Sequence, residues 1–208
     1  MKNTAPAQPV RQGRTLRLVW RVLCLTVLAM TGARFAFAQA AAAARPSPGA
    51  GPIIVVETVK GTFEFETYPN EAPKTVAHIL ELVNKRFYNG LRFHRVVPGF
   101  VIQAGDPQTR DMTKRDSWGR GSAASSGHPV GAAEFSKKRT HRKGAVAIAH
   151  AGDPAIADSQ FYVTLAARPE LDGKYTVFGQ LIGGFDVPAK IQVGDVIRKV
   201  SVKEAAAK

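Results

Sequence analysis

The stretch Leu91 to Asp106 constrains this chain more than any other. Two short apolar runs, Leu91 to Val97 and Phe100 to Ala104, are split by Pro98-Gly99, a dipeptide that marks a turn. The pattern predicts a strand, a tight bend and a second strand, closed by Gly105-Asp106. Side chains alternate between the faces of a strand, so Arg95 need not point where its apolar neighbours point. An arginine inside such a run must find water, a carboxylate or a ligand, because burying it unpaired is expensive. Spacing alone favours the plain outcome, an ion pair with a neighbouring acid.

The start of the chain has a different character. Lys2, Arg11, Arg14, Arg17 and Arg21 precede the apolar run Val22 to Met30, and Ala36-Phe37-Ala38 follows it. A basic start, a short apolar run and small residues at alternate positions predict an export signal over residues 1–38. The run is shorter than the roughly 20 apolar residues that a bilayer span needs, although Leu16 to Val19 would lengthen it into an anchor if it were retained. After cleavage no stable membrane insertion is expected. The destination is the periplasm, with full secretion as the alternative. The single cysteine, Cys24, lies inside the signal, so the mature chain needs no disulfide or thiol chemistry.

Residues 39–52 are rich in Ala, Pro and Gly without periodicity and predict a disordered linker. One domain follows over 53–203, and 204–208 are a tail. Six of the 29 Lys and Arg fall in the signal, which has no acids, leaving 23 bases against 16 acids, or +7, in place of +13. The basic clusters Arg110 to Arg115 and Lys137 to Lys143 carry no recognition motif or interleaved aromatic row. They read as a solvated face, and no nucleic-acid partner is expected.

Within the domain, Ile53 to Thr58 and Thr62 to Tyr68 form a hairpin pattern around Lys60-Gly61. Val76, Ile79, Leu80 and Val83 fall at helical spacing over Ala72 to Asn84, with Pro73 suited to the first turn. Ala145 to His150, Phe161 to Leu165, Thr176 to Ile182 and Ile197 to Val202 are further strands. Gly184 to Gln192 is a short second helix containing Pro188. Many short strands and two helices predict a mainly β fold, a closed antiparallel barrel capped by helices. Asp106 to Lys143 lacks periodicity and is far longer than an ordinary connection.

Two long motifs sharpen this reading. FHRVVPGFVIQAGD, from Phe93 to Asp106, resembles the signature of the cyclophilin family of peptidyl-prolyl isomerases. GAVAIAHAGDPAIADSQFYV, from Gly144 to Val163, and LDGKYTVFG, from Leu171 to Gly179, resemble its second conserved region in the right order. The likeness runs from about Ile53 to Val202. It implies an eight-stranded barrel capped by two helices, an ordered surface loop over 106–143, and a monomer that needs no cofactor. It also implies an enzyme that assists folding by rotating X-Pro bonds in proline-containing polypeptides.

That reaction breaks no bond, so it needs neither nucleophile nor metal. Its barrier of ~18–20 kcal/mol arises from amide resonance. As the bond twists, the lone pair localises on the prolyl nitrogen, and a cation aimed there binds the transition state better than the ground state. The resemblance implies that Arg95 is this cation and that Gln103 holds Arg95 and the substrate carbonyl. It implies that Phe100, Val101, Tyr162, Leu171 and Tyr175 wall the proline pocket. Ala149, His150 and Ala151 would be a strand whose backbone pairs with substrate, with Gln160 bordering the groove. From spacing alone, Phe100 and Leu171 are equally well core residues. A binding module without turnover is the rival reading.

Several residues depart from the family pattern. Val101 and Tyr162 stand where methionine and phenylalanine are common, and the Tyr162 hydroxyl needs a partner. His150 replaces an asparagine, and Tyr175 a frequent histidine. Glu170 replaces a tryptophan that rims the groove in members binding cyclosporin tightly. His94 reads as a hydrogen-bonded core histidine. His78, His128, His141 and His150 show no ligand spacing along the chain, so no metal site is expected.

Overall fold

The computed structural model describes residues 51–120 and 125–203. The expected signal, most of the linker and the tail lie outside the described residues. The described end of that linker belongs to the domain, since Thr67 donates its backbone N–H and its hydroxyl to the Pro52 carbonyl.

The strands are β1 (Ile53–Thr58), β2 (Gly61–Thr67), β3 (Arg95–Val97), β4 (Val101–Ala104), β5 (Ala145–Ile148), β6 (Phe161–Thr164), β7 (Val177–Gly183) and β8 (Ile197–Lys203). They form one antiparallel sheet in the order β3-β4-β6-β5-β7-β2-β1-β8. The sheet curls into a half-barrel but does not close, which corrects the closed barrel expected from sequence. β3 and β8 are edges that do not ladder with each other. Irregular segments ahead of them meet instead. Arg92 bridges Val196, the Phe93 N–H donates to the Asp195 carbonyl at 3.0 Å, and the Ile197 N–H to the Leu91 carbonyl at 2.8 Å. The physical reason is length, since Leu91 to His94 leave strand geometry and only three residues of β3 remain to offer an edge.

The hairpin between β3 and β4 follows from Pro98-Gly99. Proline presets the first central position of the turn, and Gly99 takes φ 68° at the second, where a side chain would be strained. The Phe100 N–H closes the turn on the Val97 carbonyl at 2.9 Å.

The helix α1 (Pro73–Asn84) opens on a proline at its first turn, as expected. Its buried apolar face is Val76, Ile79, Leu82 and Val83, so Leu82 takes the central place expected for Leu80, which is only partly buried. No local side chain caps its N-terminus. Glu134 reaches there from the long excursion, accepting the Lys74 and Thr75 N–H groups at 2.9 and 2.8 Å. A carboxylate on those orphan donors also complements the helix dipole. The second expected helix, Gly184 to Gln192, is present as a single 3₁₀ turn, Pro188–Lys190. Pro188 lacks an N–H, and Gly184 takes the left-handed conformation at φ 64°, so no longer helix propagates there.

Strand alternation sorts the apolar side chains into two clusters. Ile102, Ala104, Val146, Ile148, Phe161 and Val163 turn inward and pack with α1 and with Phe63, Phe65, Phe93 and Phe178. Val101, Ala145, Ala147, Tyr162 and Val177 turn outward and form a second cluster with Tyr68. Phe100, Ala149, Leu171 and Tyr175 pack against this second cluster and are only partly buried.

Candidate active site

A row of paired residues crosses the sheet on its outer face. Arg95 on β3 faces Gln103 on β4, Gln103 faces Tyr162 on β6, and Tyr162 faces Ala147 on β5. Residues directly opposite in an antiparallel ladder share a face, so register alone brings the cation, the amide and the aromatic ring together. Arg95 is exposed. Its guanidinium donates to Gln103 Oε1 at 3.4 Å and lies 5.4 Å from the centre of the Phe100 ring. Gln103 in turn donates through Nε2 to Gln160 Oε1 at 3.0 Å, and Gln160 Nε2 donates to the Gly119 carbonyl at 3.4 Å. Among the described residues Arg95 has no carboxylate partner, in contrast to the ion pair that spacing alone favoured.

Arg95, Phe100, Val101, Gln103, Ala149, His150, Tyr162, Leu171 and Tyr175 line one cavity of about 340 Å³. The two remaining expected residues, Ala151 and Gln160, line an adjoining recess of about 140 Å³ with Gln103, Ala149 and His150. Phe100 and Leu171 are partly buried against the outer cluster and are not part of the inner core. Tyr175 packs edge-on to Tyr162 at 5.7 Å and against the His150 ring at 4.5 Å.

Two expectations need correction. Ala149 to Ala151 are not strand, because β5 ends at Ile148 and the chain bends at Ala151. Ala149 still donates its N–H to the Gln160 carbonyl at 2.8 Å, while the His150 ring turns to the Lys174 carbonyl at 2.9 Å. His94, expected to be hydrogen-bonded, has no hydrogen-bond partner on either ring nitrogen among the described residues. Burial lowers its pKa, against the pull of Asp106.

The sequence reading missed three residues that shape the pocket. The Tyr162 hydroxyl bonds Nε2 of His141 at 2.9 Å, and Nδ1 of His141 bonds Asp172 Oδ1 at 2.7 Å. A carboxylate can only accept, so Nδ1 carries the proton and Tyr162 is the donor to Nε2. Burial lowers the His141 pKa against the pull of Asp172, keeping the ring neutral. Burial likewise holds the Tyr162 phenol far above the ordinary tyrosine range. Arg168 is the third: its guanidinium lies 4.8 Å from the Phe100 ring centre, and it donates to the Gly99 carbonyl. The one available signal was the unpartnered Tyr162 hydroxyl.

Comparison with known proteins gives the family. Residues 53–206 match the family Cyclophilin type peptidyl-prolyl cis-trans isomerase/CLD. A probable peptidyl-prolyl cis-trans isomerase of Brucella abortus is 38% identical over 165 residues, covering 79% of this chain and 82% of the relative. The peptidyl-prolyl cis-trans isomerase B of Bacillus subtilis is 39% identical over 140 residues, covering 67% and 90%. The crystal structure of a Cryptosporidium parvum cyclophilin-type isomerase superposes with a TM-score of 0.63 at 26% identity, covering 73% of this chain and 97% of that one. The chain belongs to the cyclophilin-type peptidyl-prolyl cis-trans isomerases.

Proposed function

We propose that this isomerase turns over X-Pro bonds at the Arg95 row and works on exported polypeptides in a bacterial envelope. The observation that carries the site assignment is the register Arg95–Gln103–Tyr162 above an aromatic-walled cavity. The prolyl ring enters the cavity between Phe100, Leu171 and Tyr162. Gln103 fixes the guanidinium on one side and the Phe100 face supports it on the other, and the side chain is otherwise exposed. A donor held in this way is preorganised for the lone pair that localises on nitrogen as the bond twists. Beyond the ring, the substrate backbone runs along Ala149 to Ala151 toward Gln160. A cyclophilin of Cryptosporidium parvum has been crystallised in the presence of the dipeptide Ala-Pro, which supports a proline peptide as the ligand class.

The envelope location rests on the basic start, the short apolar run and Ala36-Phe37-Ala38. Two measurements test the reading. The cis/trans rate of a short X-Pro peptide should rise with the purified protein and fall when Arg95 is removed. Mass spectrometry of the protein recovered from the envelope should show a chain beginning near Gln39, whereas a full-length species in the membrane fraction would favour a retained anchor.

A further inference from the structure

Behind the groove, on the far side of Asp158, His78, Glu81 and His128 bring three metal-ligating atoms within 4.8 Å of one another. His78 and Glu81 stand three apart on α1 and so share one helix face. His128 comes from the long excursion, and its ring lies 5.0 Å from that of His78, inclined at 67°. Nε2 of His128 is 3.7 Å from Glu81 Oε2, while Lys85 occupies the other carboxylate oxygen at 2.6 Å.

His78 is the informative member. Its side chain is only 4% exposed, and Nε2 bonds Asp158 Oδ1 at 2.9 Å. Nδ1 is buried and has no hydrogen-bond partner. The Nε2–H donates to the Asp158 carboxylate, which leaves Nδ1 in the interior with its hydrogen-bonding capacity unused, a state that natural structures rarely leave unexplained. A buried His–Asp pair accounts for Nε2 and leaves Nδ1, and the gathering of the His128 ring and the Glu81 carboxylate beside His78, without a reason.

We propose that His78 Nδ1, Glu81 Oε2 and His128 Nε2 bind a divalent ion of the zinc class, with Asp158 orienting His78. Two imidazoles and one carboxylate are a donor set suited to a borderline ion that keeps a fourth, solvent-filled position. Bond lengths near 2.0–2.2 Å would draw the three atoms together by a side-chain adjustment of the exposed His128. A carboxylate on the far nitrogen of a ligating histidine fixes its tautomer and raises its basicity. Asp158 is itself held by the Ser126 N–H at 2.8 Å, and with Ser125 it lines the smaller recess of the groove. An ion here would therefore tie α1 to the excursion next to the substrate path.

Titration of zinc chloride into the metal-stripped, untagged full chain by calorimetry tests this. A saturable one-to-one isotherm is expected, weakened at least about tenfold in His128→Ala and in Glu81→Gln. His78→Ala removes a buried side chain and can unfold the domain, so the two more exposed positions carry the test. Absence of saturable zinc binding overturns the proposal, as does binding that is unchanged in both variants.

Discussion

The hydroxyl of Tyr162 donates to Nε2 of the fully buried His141 at 2.9 Å, and Asp172 fixes the other face of that imidazole at 2.7 Å. This chain of bonds fastens the floor of the candidate pocket to two loops that are distant in sequence. It also satisfies a polar group placed where an all-carbon ring would serve for contact.

Tyr162→Phe should therefore be more costly for stability than for turnover. The ring and its contacts with Tyr175 remain, but His141 Nε2 becomes a buried acceptor without a donor. Such a loss is worth about 1–3 kcal/mol. Urea unfolding should show that decrease while KM for a proline peptide stays close to wild type. An equal loss in kcat/KM would mean that the hydroxyl itself contacts substrate.

Stability should fall on mild acidification. Burial lowers the pKa of both His141 and His94 below the ordinary value of 6.5. Below that value the unfolded chain takes up protons that the folded chain refuses, so unfolding gains as pH falls. The contribution of these two rings is complete above about 6.5 and is lost progressively between there and their folded values. Glu71 acts in a lower window: burial would raise its pKa, but hydrogen bonds from Arg139 and Lys138 outweigh this and lower it. Its contribution is present above the ordinary 4.5 and is lost in stronger acid. Denaturation midpoints measured from pH 8 to pH 5 should decline below neutrality, and a flat profile would contradict the neutral-histidine assignment.

Arg95→Ala should remove most turnover and leave the fold unchanged. The side chain is exposed, and its polar contact with Gln103 is long at 3.4 Å. Loss of one preorganised donor costs roughly 3–4 kcal/mol in the transition state, or about 10²–10³ in kcat. Circular dichroism and the melting temperature should match wild type; near-full activity in the variant would overturn the role given to Arg95.

Glu134→Ala should destabilise α1 although the two are far apart in sequence. The carboxylate accepts from Lys74 N–H, Thr75 N–H and the Thr75 hydroxyl. Removing a helix cap typically costs about 0.5–2 kcal/mol. Hydrogen exchange should accelerate first at the N-terminal turn of the helix, and unaltered protection there would argue against the cap.

Cyclosporin should inhibit this enzyme poorly. Glu170 is 55% exposed and only loosely paired with Arg168 at 3.7 Å. An ionised carboxylate cannot donate to the drug and would have to be desolvated against an apolar macrocycle. Glu170→Trp should lower the inhibitory concentration by about 5- to 150-fold, equivalent to ~1–3 kcal/mol. Strong inhibition of the wild-type protein would show that this rim contact matters little.

Much of this was written in the sequence. Pro98-Gly99 dictated the turn between β3 and β4, and alternation along VIQA placed Val101 and Gln103 on the face opposite Ile102 and Ala104. Those are local consequences of backbone sterics and of a period of two, so they survive without knowledge of the partners. Pairing across strands is another matter. That Arg95 lies beside Gln103 and Gln103 beside Tyr162 is set by register, which depends on the whole inner face finding its core. The open seam between β3 and β8 depends on where Leu91 to His94 leave strand geometry. The Tyr162–His141–Asp172 chain, the Glu134 cap and the His78–Glu81–His128 cluster each join residues from separate elements. Apart from the i,i+3 placement of His78 and Glu81 on α1, no spacing along the chain encodes them, because side-chain contacts are short-ranged and only folding brings their partners within reach.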